Sequence, residues 1–142
     1  MSWSAFWTNG SIAFIFFNNV NFINIQYGNV LKQIKEVKLL SGKEILKVPF
    51  TDITRDINSL ASIIKKCDLI ISVDNSTLHL ASSLGHPTWA LLPYSADFRW
   101  MEDITPAVWY KNSTLIRQNK ENDWQNSVDL ICDAIVKSDI NS

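Results

Sequence analysis

Apolar and polar positions along the chain follow two alternating patterns, which predict strands and helices in turn. Residues 22–26 read Phe-Ile-Asn-Ile-Gln, which has the two-residue period of a half-buried strand. Between Val30 and Val37 the apolar positions recur at helical spacing, and Ser41-Gly42 is typical of a helix end. The first part of the chain is therefore predicted to run from a strand into a helix.

The same patterns continue through the rest of the sequence. They predict strands at residues 45–48, 68–73, 88–92 and 114–117, and helices at residues 57–66, 76–84 and 124–135, the second of which starts by Thr77. Strands and helices joined by short links indicate βαβ units, so the predicted fold is α/β: a Rossmann-like parallel sheet with helices on both faces. Residues 93–112 lack periodicity but contain two tryptophans and two tyrosines, and a long aromatic loop in a compact domain is more often functional than idle.

Composition narrows the class of protein. The chain has 142 residues, of which 46% are hydrophobic and 19% charged, enough for one globular domain with a core. A net charge of -1 argues against a protein that binds nucleic acid by neutralising phosphates. Cys67 and Cys132 have no metal-ligand spacing and are predicted to be buried thiols in a reducing compartment, the cytoplasm, with a disulfide between them as the alternative.

The first 31 residues contain no Asp, Glu, Lys or Arg. A signal peptide is not predicted, because the positive segment is absent and the apolar run of residues 12–17 breaks at Asn18-Asn19. A membrane span is not predicted either, because it needs about 20 apolar residues. We expect this segment to be part of a core that packs against a neighbour, either a missing domain or a second copy of the chain.

The segment that carries candidate chemistry is SVDNSTLHLASSLGHP, from Ser72 to Pro87. Ligands of open α/β sheets bind outside the carboxyl ends of the strands, which places residues 74–77 on the binding rim. Ser76 can cap the helix that follows, and the amides of Thr77 and Leu78 then lack intrahelical partners. Their partial positive charge predicts a seat for a phosphate or diphosphate, and His79 can add a donor.

A purely structural interpretation of this segment is also open. Asp74-Asn75-Ser76 is an ordinary capping sequence, and His79 fits a half-buried structural histidine. The sequence has no glycine-rich phosphate loop of either standard type. Nearby, Trp89 is expected in the core and His86 in a solvated loop.

The segment from Ser72 to Pro87 resembles the motif of family 9 glycosyltransferases, the heptosyltransferase-like group. Further stretches resemble a subset of bacterial proteins in which tetratricopeptide repeats precede a glycosyltransferase domain. These stretches are SWS at 2–4, FINIQYGN at 22–29, LLPYSADFRW at 91–100, WY at 109–110, IRQ at 116–118 and DW at 123–124. The family's acid after the second strand is replaced by Lys32 or Gln33, so the resemblance does not imply ADP-heptose as the donor. The family's SPWYP stretch reads PAVWYKN here, which is a departure in the loop at residues 105–112.

The resemblance implies one half of a two-domain B-type glycosyltransferase, the C-terminal domain that binds the nucleotide sugar. Residues 1–20 would then be a clipped first strand and loop remnant, 21–138 the nucleotide-sugar-binding domain and 139–142 a tail. The acceptor and the catalytic base are expected in a missing N-terminal domain or its repeats. The donor would be a nucleoside-diphosphate sugar, and no metal or other cofactor is expected, since the helix start supplies the positive charge.

The residues implied in substrate binding fall into three groups. The rim segment contributes Asp74, Asn75, Ser76, Thr77, Leu78 and His79, with Asp74 orienting the sugar or the neighbouring amides. Tyr27, Gly28 and Asn29 could contact base or ribose, or form a plain turn. Arg99 could reach a phosphate, although pairing with Asp97 or Glu102 is the favoured interpretation.

Three functions remain open at this point. The first is the donor-binding half of a glycosyltransferase, so that the chain alone would be incomplete as an enzyme. The second is a nucleotide-sugar 2-epimerase of the same architecture, against which LLPYSADFRW argues. The third is a non-catalytic nucleotide-binding or interaction remnant.

Overall fold

The computed structural model describes residues 2–4, 20–26, 30–48, 52–53, 55–100, 107 and 109–140. Within them, strands and helices alternate as the sequence predicts. The strands are β1 (Ser2–Ser4), β2 (Asn21–Asn24), β3 (Ile45–Lys47), β4 (Leu69–Val73), β5 (Thr88–Leu92) and β6 (Ser113–Arg117). The helices are α1 (Leu31–Ser41), α2 (Ile57–Ile64), α3 (Ser76–Ser83) and α4 (Gln125–Ile140), with a 3-10 turn at Phe98–Trp100.

All six strands form one parallel sheet in the order β3-β2-β1-β4-β5-β6. This is the strand order of a doubly wound, dinucleotide-binding type of sheet. The predicted α/β fold with a Rossmann-like parallel sheet is therefore confirmed. The short strand β1 lies at the centre and pairs with both β2 and β4, so it belongs to the same sheet as the rest of the chain.

Side chains of the central strands alternate between two cores, because successive residues of a strand point to opposite faces of the sheet. Leu69 and Ile71 of β4 pack in a cluster that includes Ile135 of α4. Ile70 lies in a second cluster with Ile64 of α2 and with side chains of α3. Helices consequently cover both faces, as expected for parallel strands that are apolar throughout.

The helix ends follow local chemistry. Gly42 has φ 70°, and its N–H donates to the carbonyl of Lys38, so the predicted stop after Ser41 is confirmed. The last helix, predicted to reach residue 135, runs on to Ile140. No helix in the described part of the chain is long and apolar enough to cross a membrane.

Candidate functional site

The candidate site lies at the carboxyl end of β4, where Asp74 and Asn75 join this strand to α3. The sheet order reverses between β1 and β4, because β2 and β3 continue on one side and β5 and β6 on the other. Ligands of open α/β sheets bind in the crevice at such a switch point. The predicted position of Asp74 on the rim, with a helix starting by Thr77, is thus confirmed.

Asn75 caps α3, so the prediction that Ser76 caps it was wrong. Asn75 is extended, with φ -153° and ψ 178°, and its Oδ1 accepts a hydrogen bond of 3.0 Å from the N–H of Leu78. The Oγ of Ser72 donates to the same oxygen over 3.1 Å. The amide of Leu78 is therefore bonded within the protein, contrary to the expectation that it could donate to a ligand.

Burial separates the helix-start residues into two kinds. Ser76 is exposed, whereas Thr77 retains 3% of its accessible surface and Leu78 none. The side chain of Thr77 is therefore directed inward, as on the buried face of an amphipathic first turn. The N-terminal turn presents Ser76 to the rim.

His79 bridges two polar side chains through its two ring nitrogens. Nε2 lies 3.1 Å from Oδ1 of Asp74, and Nδ1 lies 3.0 Å from the hydroxyl of Tyr110. Both side chains of the His79–Asp74 pair are partly exposed: 27% of the His79 side chain and 22% of the Asp74 side chain are accessible to solvent. Both nitrogens are engaged within the protein, so this geometry does not offer the free donor that the sequence analysis assigned to His79.

Aromatic rings from the long loop enclose the imidazole. The ring of Trp100 stacks on that of His79 at a centroid distance of 5.5 Å and an interplanar angle of 22°. Tyr110 contacts both rings, at 5.8 Å from His79 and 6.1 Å from Trp100. Trp100 is almost completely buried and receives a hydrogen bond at its carbonyl from Nη2 of Arg117. The loop that lacked periodicity therefore builds one wall of the site.

Sequence reasoning did not place Trp100 or Tyr110 in the site. Tyr110 is 31 positions from His79, and no local pattern encodes a contact over that separation. The available signal was the aromatic content of the loop, which indicated function without naming a contact.

Arg99 pairs with Asp97, as the favoured interpretation predicted. Its Nε lies 2.9 Å from Oδ1 of Asp97, and this oxygen also accepts the backbone N–H of Arg99. The hydrogen bond from Arg99 lowers the pKa of Asp97, and the same bond raises the pKa of Arg99. The carboxylate of Asp74 also raises the pKa of Arg99, by a smaller amount than Asp97 does.

The remaining predicted residues are not among the contacts described above. Tyr27, Gly28 and Asn29 fall outside the described residues. His86 is partly buried and not solvated as expected, and desolvation lowers its pKa. Cys67 and Cys132 are free thiols, the first buried and the second half-buried, and burial raises the pKa of each. Among the described residues, no group of three or more His, Cys, Asp or Glu is placed to hold a metal.

The part of the chain that holds this site matches a known sequence family. The sequence model of glycosyltransferase family 9 (heptosyltransferase) matches residues 54–129, which is more than half of the chain and includes the whole site. The chain belongs to glycosyltransferase family 9. The resemblance noted in the sequence to this family is thereby confirmed, and the rim segment lies inside the matched region.

A curated relative of this family 9 chain extends well beyond it. The chain is similar to "Protein FlbA" of Caulobacter vibrioides, with 27% identity over 116 residues. The aligned region covers 82% of this chain and 19% of FlbA, so the chain spans about a fifth of the length of that relative. No solved structure matches the chain.

Proposed function

We propose that this family 9 domain binds the nucleoside-diphosphate sugar from which a glycosyltransferase moves a sugar to an acceptor hydroxyl. The observation that carries the proposal is the rim of β4, where exposed Ser76 opens α3 beside Asp74 at the switch point of the sheet. The start of a helix favours anions, because its first amides lack intrahelical partners and carry partial positive charge. The diphosphate would lie against the first turn of α3, which begins at Ser76.

The proposed diphosphate site would also stabilise the leaving group of the reaction. As the sugar departs, negative charge grows on the diphosphate, and donors already fixed in place stabilise that charge without reorganising. We propose that these donors replace a metal ion in the transfer. Asp74 would orient the sugar through its carboxylate, and Tyr27 to Asn29 would contact the base or ribose.

The acceptor and the catalytic base are proposed to come from another part of a longer protein. FlbA, of which the chain spans 19%, leaves room for further domains, and tetratricopeptide repeats before the glycosyltransferase domain remain our proposal for this chain. A nucleotide-binding domain without transfer activity is the alternative. It shares the donor site, so a transfer assay on the full-length protein separates the two.

The test compares two substitutions at Ser76. Ser76→Pro removes the backbone donor, and proline is favoured at the first position of a helix. The extended backbone of Asn75, at φ -153° and ψ 178°, suits a residue that precedes proline. Ser76→Ala keeps the amide and removes only the hydroxyl, so it is the matched control. Substitutions of Thr77 are less informative because its side chain is buried.

Binding is measured by calorimetric or NMR titration with UDP, ADP and GDP. We expect one of these to bind wild type, and Ser76→Pro to weaken it by about 1.5–3 kcal/mol, the typical contribution of a hydrogen bond to a charged group. Ser76→Ala should weaken it less, and Lys137→Ala, on the last helix, not at all. Equal binding by wild type and the three variants, or no binding by any of them, would contradict the proposal and would mean that this segment only caps the helix.

A further inference from the structure

We propose that Tyr110 is a positioning residue that holds the imidazole of His79 in one orientation between Tyr110 itself and Asp74. Only the effect on ligand binding rests on the proposed function, and the orientation of His79 does not. Tyr110 lies in the loop after β5, outside the rim segment, and nothing in the family assignment or in the relative's name gives it a role.

The proton positions follow from which groups can donate. A carboxylate accepts only, so Nε2 of His79 must carry the proton that it shares with Oδ1 of Asp74 over 3.1 Å. In the neutral ring, Nδ1 is then an acceptor, and the only proton available along its 3.0 Å contact is that of the Tyr110 hydroxyl. The line therefore runs from Tyr110 to His79 to Asp74, each group donating to the next.

Packing fixes the plane of the imidazole. Trp100 stacks on one face at 5.5 Å and is itself held, with 2% exposure, by a hydrogen bond from Arg117 to its carbonyl. The ring of Tyr110 is tilted by 56° against that of His79, so its hydroxyl meets the ring at the Nδ1 edge. Because Trp100 stacks on one face and both ring nitrogens are hydrogen-bonded, the imidazole is held in one orientation.

This orientation has a consequence for Asp74. His79 occupies Oδ1 of the carboxylate, which fixes how the group is turned at the rim. The lone pairs of Oδ2 then remain to accept hydroxyl groups of a bound sugar, and the side chain is 22% exposed. Without Tyr110, the imidazole could rotate, and Asp74 would lose its fixed position.

The first test needs no ligand. Nitrogen-15 NMR of the histidine rings distinguishes protonated from unprotonated ring nitrogens, and an unprotonated nitrogen that accepts a hydrogen bond from one that does not. We expect wild-type His79 to carry its proton on Nε2, and Tyr110→Phe to move the Nδ1 signal toward that of a free acceptor. Tyr94→Phe removes the same hydroxyl from a tyrosine that is 55% exposed, and should leave His79 unchanged.

Two results of this test would overturn the proposal. One is a proton on Nδ1 of wild-type His79, since Tyr110 would then accept. The other is an Nδ1 signal that responds equally to Tyr110→Phe and Tyr94→Phe. Neither result depends on whether the chain binds a nucleotide, so this arm fails or succeeds independently of the proposed function.

The second test asks whether Tyr110 acts through His79. The dissociation constant of UDP-, ADP- or GDP-sugar is measured for Tyr110→Phe, His79→Ala and the double variant, after thermal unfolding shows that each is folded. We expect Tyr110→Phe to weaken binding roughly three- to tenfold in the wild-type background and to add nothing when His79 is absent. A full additional loss in the double variant would show that Tyr110 contacts the ligand itself, and would overturn the positioning role.

Discussion

At the scale of single residues, Asn75 joins strand and helix through one side-chain oxygen. Its Oδ1 accepts from the N–H of Leu78 and from the hydroxyl of Ser72. Asn75→Ala removes the cap, and a lost N-cap typically costs about 1 kcal/mol. We expect the free energy of unfolding in urea to fall by roughly 1–2 kcal/mol, with the larger value if the hydroxyl of Ser72 loses its partner as well.

Asn58→Ala is the matched control for this substitution. Asn58 is exposed in the first turn of α2, where Asp56 is the cap and accepts the Asn58 backbone N–H. The control removes the same side chain without removing a cap, so its effect should stay within about 0.5 kcal/mol. Equal losses in the two variants would contradict the capping role of Asn75.

His86 makes stability depend on pH in a defined direction. Desolvation lowers its pKa below the ordinary value of 6.5, although Asp68 and a backbone hydrogen bond at Cys67 oppose the shift. The unfolded chain therefore takes up the proton at a higher pH than the folded one. This contribution to stability is complete above pH 6.5 and is lost as the pH falls through the lowered pKa.

His86→Gln should remove that step. Urea unfolding of wild type and variant is followed at several pH values from 7.5 downward, and the difference between their free energies of unfolding isolates His86 from the other groups. We expect wild type to lose stability relative to the variant below about pH 6.5. A pH-independent difference would show that His86 is as solvated as the sequence first suggested.

Residue-level prediction succeeded where the cause is local. The rim position of Asp74 follows from the end of an apolar run, and Gly42 follows from its neighbours at a helix end. The prediction of Ser76 as the cap failed because Asn75 and Ser76 are both good caps, and the backbone at the end of the preceding strand decides between them in favour of Asn75. The bond between His79 and Tyr110 depends on the tertiary fold, so no local pattern contains it.

At the scale of elements, α2 shows how an amphipathic helix is held to the sheet. Ile64 is fully buried in the core beneath α2 and α3, whereas Ile57, in the same helix, is 63% exposed. Ile64→Ala should lower the free energy of unfolding by about 2–5 kcal/mol, because it removes buried methyl groups and leaves a cavity. Ile57→Ala makes the same change at the surface and should cost less than about 0.5 kcal/mol.

Denaturant unfolding of the two variants measures this contrast. Comparable midpoints for Ile64→Ala and Ile57→Ala would mean that α2 does not dock through the face seen in the structure. The helical pattern of α2 could be read from the sequence because its apolar residues recur every three or four positions. Most element bounds were predicted to within one or two residues for the same reason, whereas the 3-10 turn at Phe98–Trp100 has no period to detect.

At the scale of the whole molecule, strand order is the property that the sequence left open. Alternating strands and helices predict a parallel sheet, but they do not say which strands are neighbours. The pairing of β1 with β4 joins residues more than sixty positions apart, Trp3 with Leu69. This pairing creates the switch point, so the location of the site became definite only with the tertiary structure.

The last prediction concerns activity. A sugar transfer that proceeds by positioning needs donor and acceptor held together, and the described residues form the proposed donor side only. We expect the 142-residue chain to bind a nucleoside diphosphate without appreciable release of that diphosphate from a nucleotide sugar. Chromatography of UDP-, ADP- and GDP-sugars incubated with the chain, with and without simple sugar acceptors, measures this release.

A positive control makes the negative result meaningful. A longer protein that carries this domain together with an acceptor-binding domain should release diphosphate in the same assay, and its Ser76→Pro variant should release it at least about tenfold more slowly, as expected for a lost hydrogen bond to a charged group. The catalytic base is proposed to lie in that other domain, so the 142-residue chain would hold the leaving group without a means to activate the acceptor. Rapid transfer by the chain alone would contradict this division, because all catalytic groups would then have to be found among its own residues.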